Sequence, residues 1–300
     1  MPLPIIHKPD YDAQFSPNHR FPMAKYSKLA AILRAEGLLT DRTIRIPELA
    51  RAEWLELAHR REYVEQVVSC RVPRETERLI GFPVDERVSR RALSASGGTV
   101  LAARLALSGG LACNTAGGSH HARRAHGAGF CTFNDVGVAA SLLLAERAVS
   151  RVLVFDCDVH QGDGTAEIFM HTRQVFTVSL HAAKNYPVRK VPSDMDVPLP
   201  DGLADDAYVE TVEKVLPNAL AASRPDIVFY NAGVDPHEGD RLGRLSLTDE
   251  GLRRRDHAVI GFFRKRAIPL VGVIGGGYSR DADAVAARHA ILFRTAAEYA

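Results

Sequence analysis

The sequence lacks the features that mark membrane, secreted and nucleic-acid-binding proteins. No apolar run reaches the roughly 18 residues that a transmembrane helix needs. The segment from Met1 to Lys8 has neither the charged start nor the long apolar core of a signal peptide. A formal net charge of +2 over 300 residues provides little attraction to nucleic acid or to a membrane surface. We therefore expect a cytoplasmic protein with no nucleic-acid or membrane partner.

Cysteine is also scarce, and its distribution argues against a disulfide framework. The chain has four cysteines, at positions 70, 113, 131 and 157, and none of them forms a CxxC pair. Cys131 and Cys157 lie inside the polar motifs described below. This pattern favours reduced thiols in a cytosolic setting.

The composition is that of an ordinary globular protein, with 46% hydrophobic and 25% charged residues. Short apolar runs alternate with segments of helical periodicity, which predicts a mainly parallel sheet covered by helices on both faces. No repeat, linker or low-complexity segment divides the chain, so we predict one α/β domain over residues 1–300 with a three-layer α/β/α architecture.

Three segments have less regular patterns. Residues 73–86 show no clear period and predict a long loop. The helix expected over residues 87–108 contains Ser96-Gly97-Gly98-Thr99, which indicates close packing or a break. Residues 184–201 contain several prolines and predict another loop.

The stretch from residue 152 to 164 carries the strongest chemical signal. Val152 to Phe155 is a short apolar run that predicts a buried strand, and it is followed by Asp156, Asp158 and His160. Strand side chains alternate between faces, so these three groups are expected to point the same way. Three ionisable groups at the end of a buried strand need a partner, and a divalent cation is the simplest one.

Other polar groups also follow predicted strands, and the carboxyl ends of parallel strands converge on one rim. Asp235 comes after one such strand, and with Asp158 and His160 it forms a candidate metal triad that leaves a ligand position open. Zinc suits this set of donors, and ferrous iron is the alternative.

Acid–base groups are expected at the same rim. His120 and His121 follow a Gly-Gly pair, and Asp156 and Asp163 are available to hold each ring in one tautomer. Tyr278 follows three glycines, where its phenol could donate a hydrogen bond to a developing oxyanion.

Six motifs occur in an order typical of a known family. They are GGSHHA (117–122), GxGFCxxND (127–135), DCDVHQGDG (156–164), SLH (179–181), NAGVDPHEGDRLG (231–243) and GGGY (275–278). The chain resembles the zinc-dependent histone deacetylases of the arginase/deacetylase fold over nearly its whole length. Its NAGxDxxEGDRLG segment and the HQG after the aspartates look closest to the class IV branch.

The resemblance implies a role for each matching residue. Asp158, His160 and Asp235 match the zinc ligands. The catalytic set matches His120 and His121 with Asp156 and Asp163 as their carboxylate partners, together with Tyr278. Within the dyad, His121 is the expected proton shuttle and His120 its electrostatic partner. Phe130 and Tyr186 match the walls of an acyl-lysine tunnel, and the further substrate contacts are Gly129, Leu242 and Gly276. A structural potassium site matches Asp156, Asp158, His160, Ser179 and Leu180, and a second one matches Phe169, Thr172 and Val175.

One departure concerns substrate binding. Many family members carry a rim aspartate that grips the peptide backbone, and here the matching position is Phe82 or a neighbour. Asp85 lies close by in sequence and is the candidate replacement.

The resemblance implies a zinc-dependent hydrolase that removes acetyl or longer acyl groups from protein lysines. Hydrolysis of acetylpolyamines or other small amides is the alternative. A binuclear manganese ureohydrolase and a non-catalytic binding module rank lower, because one metal triad and every catalytic residue are present. The expected partner is an acyl-lysine protein or peptide, or an acylated small amine, and oligomerisation stays open.

Overall fold

The computed structural model of the chain describes residues 2–16 and 18–300, and Met1 and Pro17, which the single-domain prediction also covers, lie outside this part. Its strands form one sheet in which every pairing is parallel, in the order β2-β1-β3-β8-β7-β4-β5-β6. The strands are β1 (Ile5–Ile6), β2 (Ile44–Arg45), β3 (Leu111–Asn114), β4 (Val152–Asp156), β5 (Val175–Ala182), β6 (Met195–Leu199), β7 (Ile227–Asn231) and β8 (Leu270–Val273). The predicted parallel α/β sheet is confirmed.

The helices pack in two groups, one on each face of the sheet. One group contains α1 (Lys25–Ala35), α8 (Asp205–Ser223), α9 (Asp249–Arg264) and α10 (Ala282–Ala297). The other contains α2 (Ala52–Leu55), α3 (Arg61–Val68), α5 (Glu86–Gly109), α6 (Asp135–Ala145) and α7 (Asp163–Phe169). The short helix α4 (Arg74–Ile80) precedes α5. No helix in the described part of the chain is long and apolar enough to cross a membrane.

The central strand β4 lies between β7 and β5, and all five of its residues are buried. Its apolar side chains, such as Val152 and Phe155, therefore contact helices on both faces, which explains a continuous apolar run rather than an alternating one. The loops that follow β3, β4, β7 and β8 emerge at the same edge of the sheet, because these strands are parallel neighbours.

The prediction of a long loop over residues 73–86 is wrong, because residues 74–80 form α4. Glu75 and Glu77 lie in its first turn, where carboxylates stabilise the positive end of a helix. Gly81 ends the helix in the left-handed conformation with φ +100°. Seven residues are too few to show a clear helical period in the sequence.

The expected break at the paired glycines does not occur, since α5 is continuous from Glu86 to Gly109. A side chain at Gly97 would collide with the carbonyl oxygen of Glu48, and one at Gly98 with the Tyr11 hydroxyl. The glycines thus allow close packing, as the alternative interpretation held, and burial outweighs their cost of about 1 kcal/mol each in a helix.

Residues 184–201 are not entirely a loop, because Met195–Leu199 forms the edge strand β6 beside β5. Its first four residues alternate between half-buried and exposed, Leu199 is buried, and the strand contains Pro198. Proline is tolerated in a strand at the edge of a sheet, where one side of the backbone has no partner.

Candidate active site

The loop after β4 presents the polar groups that the sequence singled out. The strand ends at Asp156, so Asp158 and His160 lie beyond it, and strand alternation is not what orients them. Instead, the Asp158 backbone N–H donates to Asp156 Oδ1 at 3.0 Å, and the His160 N–H donates to Asp158 Oδ1 at 3.0 Å. Two successive aspartate-capped turns, a common role of this side chain, bring the three groups together.

Asp235, in the loop after β7, completes a cluster of three metal-ligand side chains. Its Oδ1 accepts a hydrogen bond of 2.8 Å from the Val159 backbone N–H, which joins the two loops. Each of the three residues, Asp158, His160 and Asp235, offers one ligand atom. These three atoms lie within 4.8 Å of one another, and all three residues are buried. His160 Nδ1 is 3.1 Å from both Asp158 Oδ1 and Asp235 Oδ2.

The charges in this cluster fit a divalent cation. Burial and the neighbouring charge of Asp158 raise the pKa of Asp235 to about 7. Burial alone would lower the pKa of His160, but hydrogen bonds and charges from the two aspartates raise it to about 10. The buried carboxylates thus favour a positive charge between their oxygens and the imidazole nitrogen. Two carboxylates and one imidazole with an open position are the donors of a catalytic zinc or non-haem iron site.

The two adjacent histidines lie beside this cluster, and each contacts one carboxylate. His120 Nδ1 is 2.7 Å from Asp156 Oδ2, and His121 Nδ1 is 2.6 Å from Asp163 Oδ1. The Nε2 atoms of the two rings are 3.1 Å apart. Both rings are buried, so the dyad and its carboxylates form one hydrogen-bonded chain.

The two rings differ strongly in basicity. Burial disfavours the charged form of His120, but the charges of Asp156 and Asp158 and the Asp156 hydrogen bond raise its pKa to about 9. Burial and the positive charge of His120 lower the pKa of His121 to about 4, against the opposing effect of Asp163. The dyad therefore holds one additional proton, which resides on His120. His120 is cationic and His121 is neutral.

Tyr278 lies beside the cluster, with its ring centroid 6.0 Å from that of His160. Its backbone N–H donates to Asp240 Oδ2 at 2.6 Å, and Asp240 Oδ1 accepts from the N–H groups of Leu242 and Gly243. Burial and the nearby Asp158 and Asp235 charges raise the pKa of the phenol well above its usual value. The hydroxyl is therefore protonated and able to donate a hydrogen bond.

A cavity of about 550 Å³ leads from the surface to these groups, and four of the five predicted substrate contacts line it. They are Gly129, Phe130, Tyr186 and Leu242, and the fifth, Gly276, lies deeper, where its N–H donates to Asp158 Oδ2 at 2.7 Å. A Cβ at Gly129 would lie 2.6 Å from the His121 ring and 3.1 Å from the Tyr186 ring. A larger groove of about 760 Å³ lies between α8 and α9 and contains none of the predicted site residues.

The structure gives no rim carboxylate at either candidate position. Phe82 is buried and its ring stacks on that of Phe130 with centroids 6.3 Å apart. Asp85 caps the N-terminus of α5 by accepting from the Val88 N–H, and it pairs with Arg87. Neither residue lines the cavity, so Asp85 does not replace the missing aspartate.

The residues that match the potassium sites occupy two separate places. Ser179 and Leu180 lie in β5, where Ser179 is the register partner of Asp156. Phe169, Thr172 and Val175 surround the turn between α7 and β5, with the Thr172 N–H bonded to the Phe169 carbonyl. These potassium assignments stay predictions.

Three residues at the site were not singled out from the sequence. Asn231 Nδ2 donates to Asp156 Oδ1 at 3.0 Å, and Arg123 Nη2 donates to Asp163 Oδ2 at 2.6 Å. Lys25 is fully buried, and its Nζ donates to the Gly275 carbonyl at 3.1 Å. Asn231 begins the NAGVD motif and could have been found there, whereas Lys25 is 250 residues from its partner and gives no local signal.

Comparisons with known proteins identify the family of the chain. The family model described as the histone deacetylase domain matches residues 19–293. An uncharacterized protein from Picosynechococcus is 43% identical over 99% of both chains, and histone deacetylase 2 of Arabidopsis thaliana is 32% identical over 94% of this chain and 76% of its own. A crystal structure of a histone deacetylase homologue complexed with SAHA covers 99% of this chain and 84% of its own, with 25% identity and a TM-score of 0.85. The HDA15 HD domain shares the fold with a TM-score of 0.83 at 23% identity. The chain therefore belongs to the histone deacetylase family of hydrolases.

Proposed function

We propose that the protein is a zinc-dependent lysine deacylase that hydrolyses the amide of acetyl-lysine side chains in proteins or peptides. The observation that carries this proposal is the convergence of the metal triad, the histidine dyad and Tyr278 at the inner end of one cavity. Asp158, His160 and Asp235 would hold the ion. Bound zinc supplies Lewis acidity toward the acyl carbonyl and toward a water molecule.

The residues of the chain supply the remaining chemistry. His121 lines the cavity and is neutral, so it can accept the proton of the attacking water and later pass it to the leaving lysine amine. His120, held cationic by Asp156, supports the negative charge that develops next to it. The protonated Tyr278 phenol donates a hydrogen bond to the developing oxyanion.

The cavity walls position the substrate. Phe130 and Tyr186 provide aromatic faces along which the methylenes of an acyl-lysine stem can lie, excluding water from the reacting amide. The closeness of the chain to the class IV branch and its use of zinc rather than iron are parts of the proposal.

Turnover of a panel of acyl-lysine peptides and acylated polyamines, with and without a chelator, tests the proposal. We expect chelator-sensitive release of acetate from the peptides, restored by added zinc. Faster turnover of acetylated polyamines would favour small-amide hydrolysis, and activity that survives complete metal removal would refute the metal assignment. Replacement of Asp158 or Asp235 by alanine should abolish metal binding and turnover together.

A further inference from the structure

Among the residues that the structure describes, those at the rim of the cavity carry positive charge and no negative charge. Its lining includes two exposed arginines, Arg20 and Arg78, and no aspartate or glutamate among the described residues. Neither arginine forms an ion pair with a carboxylate in the described part of the chain, whereas the exposed Arg61 and Arg87, for example, do. Unpaired charge at the mouth of a cleft acts directly on an approaching substrate.

The backbone holds Arg78 beside the tunnel wall. Arg78 lies in the last turn of α4. The carbonyls of the next two residues accept hydrogen bonds from the tunnel wall. The Leu79 carbonyl accepts from the Gly129 N–H at 3.0 Å, and the Ile80 carbonyl accepts from the Phe130 N–H at 2.7 Å. The acidic side chain one position earlier, Glu77, accepts from the Val84 N–H and is already engaged.

Arg20 is held at the same rim from another segment. The next residue, Phe21, is buried with its ring centroid 5.4 Å from that of Phe130 and 6.3 Å from that of Tyr278. The preceding residue, His19, lines the cavity. Arg20 is thus anchored on both sides while its own side chain stays exposed.

Another loop that contributes to the cavity lining also carries positive charge. Tyr186 and Asn185 line the cavity, and the segment from 183 to 193 contains Lys184, Arg189 and Lys190 but no acidic residue. Lys184 and Arg189 are exposed. Basic residues therefore flank Asn185 and Tyr186 in sequence, next to a second part of the cavity lining.

From this arrangement we infer that the preferred substrate is an acyl-lysine flanked by acidic residues, with Arg20 and Arg78 as the specificity-determining side chains. The inference rests on the proposed function and narrows its substrate class. Carboxylates beside the acyl-lysine would meet unpaired guanidinium groups, which bind carboxylates with two parallel hydrogen bonds. Arginine- and lysine-rich peptides and cationic acetylated polyamines would be repelled.

Matched peptides test the inference. Three acetyl-lysine peptides of equal length would carry Glu, Gln or Lys on both sides of the acetyl-lysine. We expect kcat/KM to fall in that order, with about a tenfold ratio between the Glu and Lys peptides at low salt, mainly through KM, and a smaller ratio at high salt because exposed charges are screened. The double variant Arg20→Glu/Arg78→Glu should reverse the order.

A control variant and a binding measurement separate the possible failures. Arg173→Glu changes an exposed arginine that precedes β5, at the opposite end of the strands, and should leave the order unchanged. Fluorescence anisotropy of the labelled peptides with the Tyr278→Phe variant reports binding independently of turnover. If the peptides bound in the order Glu, Gln, Lys but the unmodified protein hydrolysed none of them, the proposed hydrolase function would be refuted and the preference for acidic flanking residues would be supported. Equal or undetectable binding of all three, or an unchanged order in the double variant, would overturn it.

Discussion

A methyl group added at Gly276 is expected to destroy the proposed metal site without disturbing the rest of the fold. Its Cβ would contact Asp235 Oδ2 and would lie 2.7 Å from Asp158 Oδ2. Ordinary contact begins at 3.4 Å, so the Asp158 oxygen would have to retreat by about 0.7 Å and the Asp235 oxygen by more. Metal–ligand distances tolerate only about 0.2 Å of change. Gly276→Ala should therefore displace two of the three ligands.

The expected magnitude follows from the loss of these ligands. Disturbing groups that merely orient metal ligands costs about 10- to 100-fold in affinity, so displacing the ligands themselves should cost 100-fold or more. This corresponds to at least about 2.7 kcal/mol. Metal content after dialysis and competition with a chromophoric chelator measure the affinity, turnover of an acetyl-lysine peptide measures activity, and circular dichroism reports folding.

Gly239→Ala is the matched control. The nearest atom to its added Cβ would be Arg288 Nη2, at 3.0 Å, and this is the end of a flexible side chain that can move. The control should retain metal affinity and turnover. If Gly276→Ala bound metal and turned over substrate like the unmodified protein, the placement of the ion between Asp158 and Asp235 would be wrong.

Three further changes have defined outcomes. Tyr278→Phe should reduce kcat by about two to three orders of magnitude with metal content unchanged, since one oxyanion donor is lost; unchanged kcat would remove the phenol from the mechanism. His121→Ala should reduce turnover more than His120→Ala, because only His121 lines the outer cavity, and the reverse ranking in single-turnover assays would exchange their roles. Burial, assisted by Arg124, lowers the pKa of His59 from 6.5 to about 4, so its contribution to stability is complete above pH 6.5 and decreases as the pH falls. The share of His59 is about 3 kcal/mol between pH 6.5 and 4, so in denaturant titrations the unmodified protein should lose about that much more stability over this range than His59→Gln, which cannot titrate.

Much of the site could be predicted because its chemistry is concentrated in short segments. Asp158 and His160 belong to one motif, and the parallel order of β4 and β7 brings Asp235 to them. Strand alternation does not explain how Asp158 and His160 are oriented, because hydrogen bonds from the backbone to Asp156 and Asp158 orient these side chains beyond the end of the strand.

The features that escaped prediction depend on contacts between distant segments. The short helix α4 is held against the tunnel wall by hydrogen bonds to Gly129 and Phe130, and its own seven residues give too weak a period to reveal it. Whether Asp85 faces the cavity could not be read from its position beside Phe82, because the answer depends on which side chain caps α5.

The carboxylate of Asp240 links two parts of the tunnel, Leu242 and Tyr278, that are distant from each other in the sequence. One oxygen accepts from the backbone N–H of Tyr278 and the other from that of Leu242, so the cavity wall and the phenol share this carboxylate as an anchor. An acyl chain wide enough to press Leu242 outward would pull the phenol with it and misalign the reacting carbonyl. Acyl size would then be discriminated in kcat rather than in binding, and oversized amides would act as inhibitors that occupy the tunnel without being cleaved.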